Sequence, residues 1–119
     1  MTWIPGVDYI LEVFKKTMLT DPILMERGKL HGTLDKVKYG IPFKGRPTIW
    51  EQATILFKEM VENHYFADGN KRIGILITYI FLYKNGYLFQ PPKGEVFSMT
   101  MAVAQVQKNF EEIQTWFIE

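Results

Sequence analysis

The feature that most constrains the fold is the apolar run Ile73 to Tyr83, IGILITYIFLY. Its length is about half of the ~20 residues that a membrane span requires. A helix with no polar face needs cover on every side, so this run reads as the buried centre of a domain. The rest of the chain has to supply that cover.

Helical spacing finds the partners. Residues 7 to 19 place Val7, Ile10, Leu11, Phe14 and Met18 on one face. Thr20-Asp21-Pro22 closes this element, because the residue before a proline avoids the helical region. A shorter helix fits residues 26 to 38, with Leu30, Leu34 and Val37 inward, although Gly28 and Gly32 weaken the pattern. From Pro47 to Asn63, the residues Ile49, Ala53, Leu56, Phe57 and Met60 share a face, and Pro47 suits a first helical turn. Continuing that face by four residues places His64 on the core side. Asn85-Gly86 terminates the apolar helix, with glycine free to turn left-handed. Residues 95 to 117 carry Val96, Met99, Val103, Val106, Phe110, Ile113 and Trp116 at helical spacing, as two helices with a break near Gln107 to Asn109. The expected fold is all-α. It is a compact bundle of about six helices around a buried central helix, in one domain spanning residues 1–119.

One loop stands out. Residues 39 to 48, YGIPFKGRPT, hold two glycines and two prolines, with Lys44 and Arg46 close to Lys36 and Lys38. This reads as a loop or short hairpin, either a solvated surface loop or a flap beside a site.

Composition then narrows the function. A net charge of +1 argues against a general polyanion binder, so no direct nucleic-acid binding is expected. The chain contains no cysteine, which excludes disulfides and thiolate chemistry and fits a reducing cytoplasm. The start, MTWIPGVDYI, has neither a basic leader region nor a small-residue cleavage site. A soluble, cytoplasmic protein without membrane attachment is expected.

The polar stretch that precedes the apolar run carries the chemistry. HYFADGNKR, residues 64 to 72, ends where a buried helix begins. The first N–H groups of that helix have no intrahelical acceptor, and the helix dipole adds about half a positive charge there. Gly69 lets an anion approach the amides, while Lys71 and Arg72 add two cations. Together these make a phosphate cradle. It is not one of the common ones, since neither G-x-x-x-x-G-K-[ST] nor G-x-G-x-x-G occurs in the chain. His64 can take a proton from an attacking hydroxyl. Asp68 can hold Mg2+ beside bound phosphates. A zinc site is disfavoured, because the only other histidine, His31, belongs to a different helix and such a site needs about four ligands. Base, metal ligand and anion hole amount to a phosphoryl- or nucleotidyl-transfer site.

This stretch resembles the signature of the Fic/Doc family, H-x-F-x-[D/E]-G-N-[G/K]-R, at all seven fixed positions. Lys71 is the variant typical of the Doc branch. The Fic branch has glycine there and a further arginine three residues after the motif, where this chain has Ile75. The resemblance implies a Fic-like fold with His64 as base, Asp68 as Mg2+ ligand, and an anion hole from the backbone of Gly69, Asn70 and Lys71 with the Arg72 side chain. It implies Phe66 as a core anchor, and a flap at residues 39 to 48 that holds the target segment in extended form. ATP and Mg2+ are the implied substrate and cofactor. Doc-like members resemble toxins that move the γ-phosphate of ATP to a Ser or Thr hydroxyl, with elongation factor Tu the family's known target of that kind. A separate antitoxin partner is implied as well. AMP transfer to a protein hydroxyl and a non-catalytic phosphate-binding module are the alternatives. Thr115 to Glu119, TWFIE, matches the first part of an autoinhibitory (S/T)-x-x-x-E-(G/N) helix found in some Fic proteins.

Overall fold

The structure, a computed structural model, describes residues 2–42 and 44–119. The described residues form six helices and no strand: α1 (Val7–Met18), α2 (Arg27–Tyr39), α3 (Ile49–Glu62), α4 (Asn70–Lys84), α5 (Glu95–Ala104) and α6 (Phe110–Ile118). The bundle is all-α and Fic-like, as the sequence predicts.

The helix at the centre is α3. It packs against α2, α4, α5 and α6, and every residue from Gln52 to Phe57 is buried. The apolar α4 buries Ile73, Gly74, Ile77, Thr78, Phe81 and Leu82 but leaves Ile75, Leu76 and Ile80 half-covered and Tyr79 and Tyr83 exposed. This corrects the assignment of the central position to α4. Polar residues of α3 tolerate burial because local acceptors satisfy them. The Thr54 hydroxyl donates to the Trp50 carbonyl and the Gln52 amide to the Val37 carbonyl, each at 2.8 Å.

Helix α4 lies close against α3 because position 74 is glycine. A Cβ there would come within 2.7 Å of Val61 Cγ2. The two glycines of α2 face open space, with nothing within 4 Å of a Cβ, so they interrupt no packing. Helix α4 ends as expected, with Gly86 at φ +93°. There Tyr87 N–H donates to the Leu82 carbonyl at 2.8 Å and Gly86 N–H to the Tyr83 carbonyl at 3.1 Å. At α3 the start differs from expectation. Pro47 lies outside the helix, and Thr48 caps it in a reciprocal pair with Glu51.

Candidate active site

Helix α3 ends at Glu62, and Asn63 turns extended (φ −94°, ψ 118°). The core-facing phase of α3 is lost there. His64 is exposed, while Tyr65 and Phe66, at 2% and 1% exposure, take the buried positions. This corrects the expectation of a core-facing His64. The reason is that helical phase cannot be extrapolated through an extended residue.

Phe66 is the anchor predicted for it, stacked on Phe14 with ring centroids 4.9 Å apart. Asn70 clamps the same residue. Its Oδ1 accepts the Phe66 N–H at 3.0 Å, and its Nδ2 donates to the Phe66 carbonyl at 2.8 Å. The Asn70 side chain is therefore engaged with the loop and is itself buried.

Gly69 forms the N-cap of α4 in a left-handed conformation (φ +82°), and no side chain caps this end. Position 69 excludes a side chain on two grounds. The positive φ disfavours one, and a Cβ would lie 2.9 Å from Met18 Sδ and 3.2 Å from the Phe14 ring. Helix α1 is thus the back wall of the α4 N-terminus. Asp68 is exposed, and its Oδ1 accepts the Gly69 N–H at 2.8 Å. Lys71 and Arg72 are exposed, and among the described residues neither forms an ion pair.

All of these predicted residues line one cleft of about 700 Å³: His64, Asp68, Gly69, Asn70, Lys71 and Arg72. Phe14, Met18, Val61 and Ala104 supply apolar wall. The remaining side comes from the connector between α1 and α2, through Thr20, Asp21 and Ile23. This connector pairs with the motif loop like a fragment of antiparallel sheet. Leu24 bridges Phe66, the Ala67 N–H donates to the Ile23 carbonyl at 3.0 Å, and the Met25 N–H donates to the Tyr65 carbonyl at 2.8 Å.

No described residue of the 39 to 48 loop lines the cleft. The loop joins α2 to the N-terminal end of α3, whereas the cleft lies at the C-terminal end. The wall expected of residues 39 to 48 is supplied instead by Thr20, Asp21 and Ile23. Phe43, within the expected flap, lies outside the described residues. The sequence signal for this connector is Ile23-Leu24-Met25, three apolar residues directly after a proline.

The Thr115 to Glu119 stretch ends away from the site. Trp116 Nε1 donates to Glu95 Oε1 at 2.9 Å, at the first residue of α5, whereas Ala104 at the other end of α5 lines the cleft. A helix of that length spans about 15 Å.

The sequence model of the Fic/DOC family matches residues 16–82. That is more than half of the chain, and the chain belongs to this family. Members transfer nucleotide-derived groups to proteins, using ATP and usually a divalent metal. A comparison with curated proteins gives no match. No helix among the described residues is long and apolar enough to cross a membrane.

Proposed function

We propose that this chain is a Doc-type phosphotransferase, a cytoplasmic toxin whose single domain moves the γ-phosphate of ATP to a Ser or Thr hydroxyl of a protein such as elongation factor Tu. One observation carries the reading. A histidine, a carboxylate and an uncapped helix N-terminus with two unpaired cations share one cleft. Lys71 and Ile75 favour the Doc branch over the Fic branch.

In this reading His64 takes the proton of the target hydroxyl as its oxygen attacks the γ-phosphorus. The bond from that phosphorus to the bridging oxygen breaks, and ADP leaves. The N–H groups of Asn70 and Lys71 with the Lys71 and Arg72 side chains hold the phosphate oxygens. Thr20, Asp21 and Ile23 form the side of the cleft against which a target segment would be held.

The donor set fits Mg2+ held jointly with a nucleotide. Asp68 has one carboxylate oxygen engaged with Gly69, which leaves the other for an ion. Among the described residues no cluster of three or more ligating side chains exists to hold a metal without substrate phosphates. When bound, the ion would offset phosphate charge. Since α6 ends away from the cleft, regulation is assigned to a separate antitoxin.

Separate incubations with γ-labelled and α-labelled ATP and cell extract test the reading. Label from γ alone is expected. Label from α alone would turn the reading to AMP transfer. Nucleotide binding without label from either would make the chain a binding module.

A further inference from the structure

Two residues flank His64, Asn63 just before the motif and Tyr65 at a variable position of it, and their side chains bond to each other. Asn63, His64 and Tyr65 form a three-residue turn, closed by the Tyr65 N–H donating to the Asn63 carbonyl at 2.7 Å. His64 is the apex of that turn. A second closure runs over it, because Asn63 Nδ2 donates to the Tyr65 hydroxyl at 3.2 Å.

The Tyr65 hydroxyl is itself fixed by chemistry. It meets the hydroxyl of Thr33, and both residues are 2% exposed. Thr33 donates its one proton to Glu59 Oε1 at 2.9 Å, since a carboxylate can only accept. Tyr65 must therefore donate to Thr33, and so it must accept from Asn63. The result is a one-way chain of donors, Asn63 to Tyr65 to Thr33 to Glu59. Lys36 completes it, donating to both Glu59 oxygens at 3.3 and 3.1 Å. The Tyr65 carbonyl is held too, by the N–H groups of Met25 at 2.8 Å and Glu26 at 3.3 Å.

We propose that Asn63 and Tyr65 are positioning residues for His64: the buried hydroxyl of Tyr65 and the amide of Asn63 lock the turn that aims the imidazole into the cleft. The chain of bonds ties the backbone of the turn to the α2–α3 contact, so the point from which the imidazole projects is fixed although His64 is not buried. The proposal rests on the reading of His64 as the base of a transfer reaction. It goes beyond that reading because neither residue is a fixed position of the motif.

Tyr65→Phe tests it, because the ring stays in the core and only the hydroxyl is lost. Asn63→Ala, at an exposed position, removes the other half of the clamp. Each variant is expected to lower kcat about tenfold or more, the scale on which misplacing a reacting group acts. KM for ATP and calorimetric ATP affinity should stay unchanged. The chain has two histidines, so the imidazole NMR signals offer a readout that does not need turnover. Those of His64 should shift and broaden in both variants, while those of His31 stay in place. Unchanged kcat, a parallel loss of kcat and ATP affinity, or unmoved His64 signals would overturn the proposal. A wild-type protein without transfer would sink the reaction instead and leave the His64 signals to decide the clamp.

Discussion

The N-termini of α3 and α4 pose the same backbone problem and receive opposite answers. At α3, Thr48 Oγ1 accepts the Glu51 N–H at 3.1 Å and Glu51 Oε1 accepts the Thr48 N–H at 2.9 Å. Asn109 and Glu112 do the same for α6. Helix α4 begins at a glycine with no side-chain cap, flanked by Lys71 and Arg72. A capped terminus is a structural joint. Helices α1, α2 and α5 also lack a side-chain cap. The α4 terminus differs from them in lying in the cleft beside Lys71 and Arg72. Its conformation is maintained by the Asn70–Phe66 clamp and the wall of Phe14 and Met18.

Gly69→Ala should break this contrast most severely. The new Cβ meets Met18 and Phe14 while the backbone is forced to a positive φ. ATP affinity by calorimetry should fall at least tenfold, because the N–H groups are displaced as well as crowded. Thr48→Ala sharpens the contrast from the other side. Losing that cap should cost about 1 kcal/mol of stability, a fall of roughly 4 °C in Tm by calorimetry, with ATP affinity unaltered. The smallest effect is expected of Lys44→Ala with Arg46→Ala. Both cations lie in the loop at the capped end, so transfer rates should match wild type; a clear loss would return that loop to the site.

The six helices and the set of motif residues that share the cleft were legible in the sequence, because helical spacing and a contiguous motif are local signals. The sequence misled wherever a local signal had to be carried across a break. Extending the face of α3 predicts a core-facing His64, yet one extended residue, Asn63, moves it from the core to the cleft. The loop at 39 to 48 drew attention through its glycines, prolines and cations, but a loop's composition says nothing about which end of a helix it lies at. Thr20, Asp21 and Ile23 line the cleft, in a connector held by pairing of Leu24 with Phe66, a contact between segments far apart in the chain. The centre was misplaced for a related reason. Hydrophobicity ranked α4 above α3, while hydrogen bonds of Gln52 and Thr54 let α3 bury its polar residues.

The most direct test of the account is a single-turnover measurement of transfer by wild type and His64→Ala, with ATP affinity measured on the same samples. With His64 as the proposed base and the α4 N-terminus as the proposed phosphate holder, transfer should fall on the order of a hundredfold or more, while ATP affinity stays within about twofold. Transfer that survives the substitution, or is lost only together with ATP binding, would contradict the account.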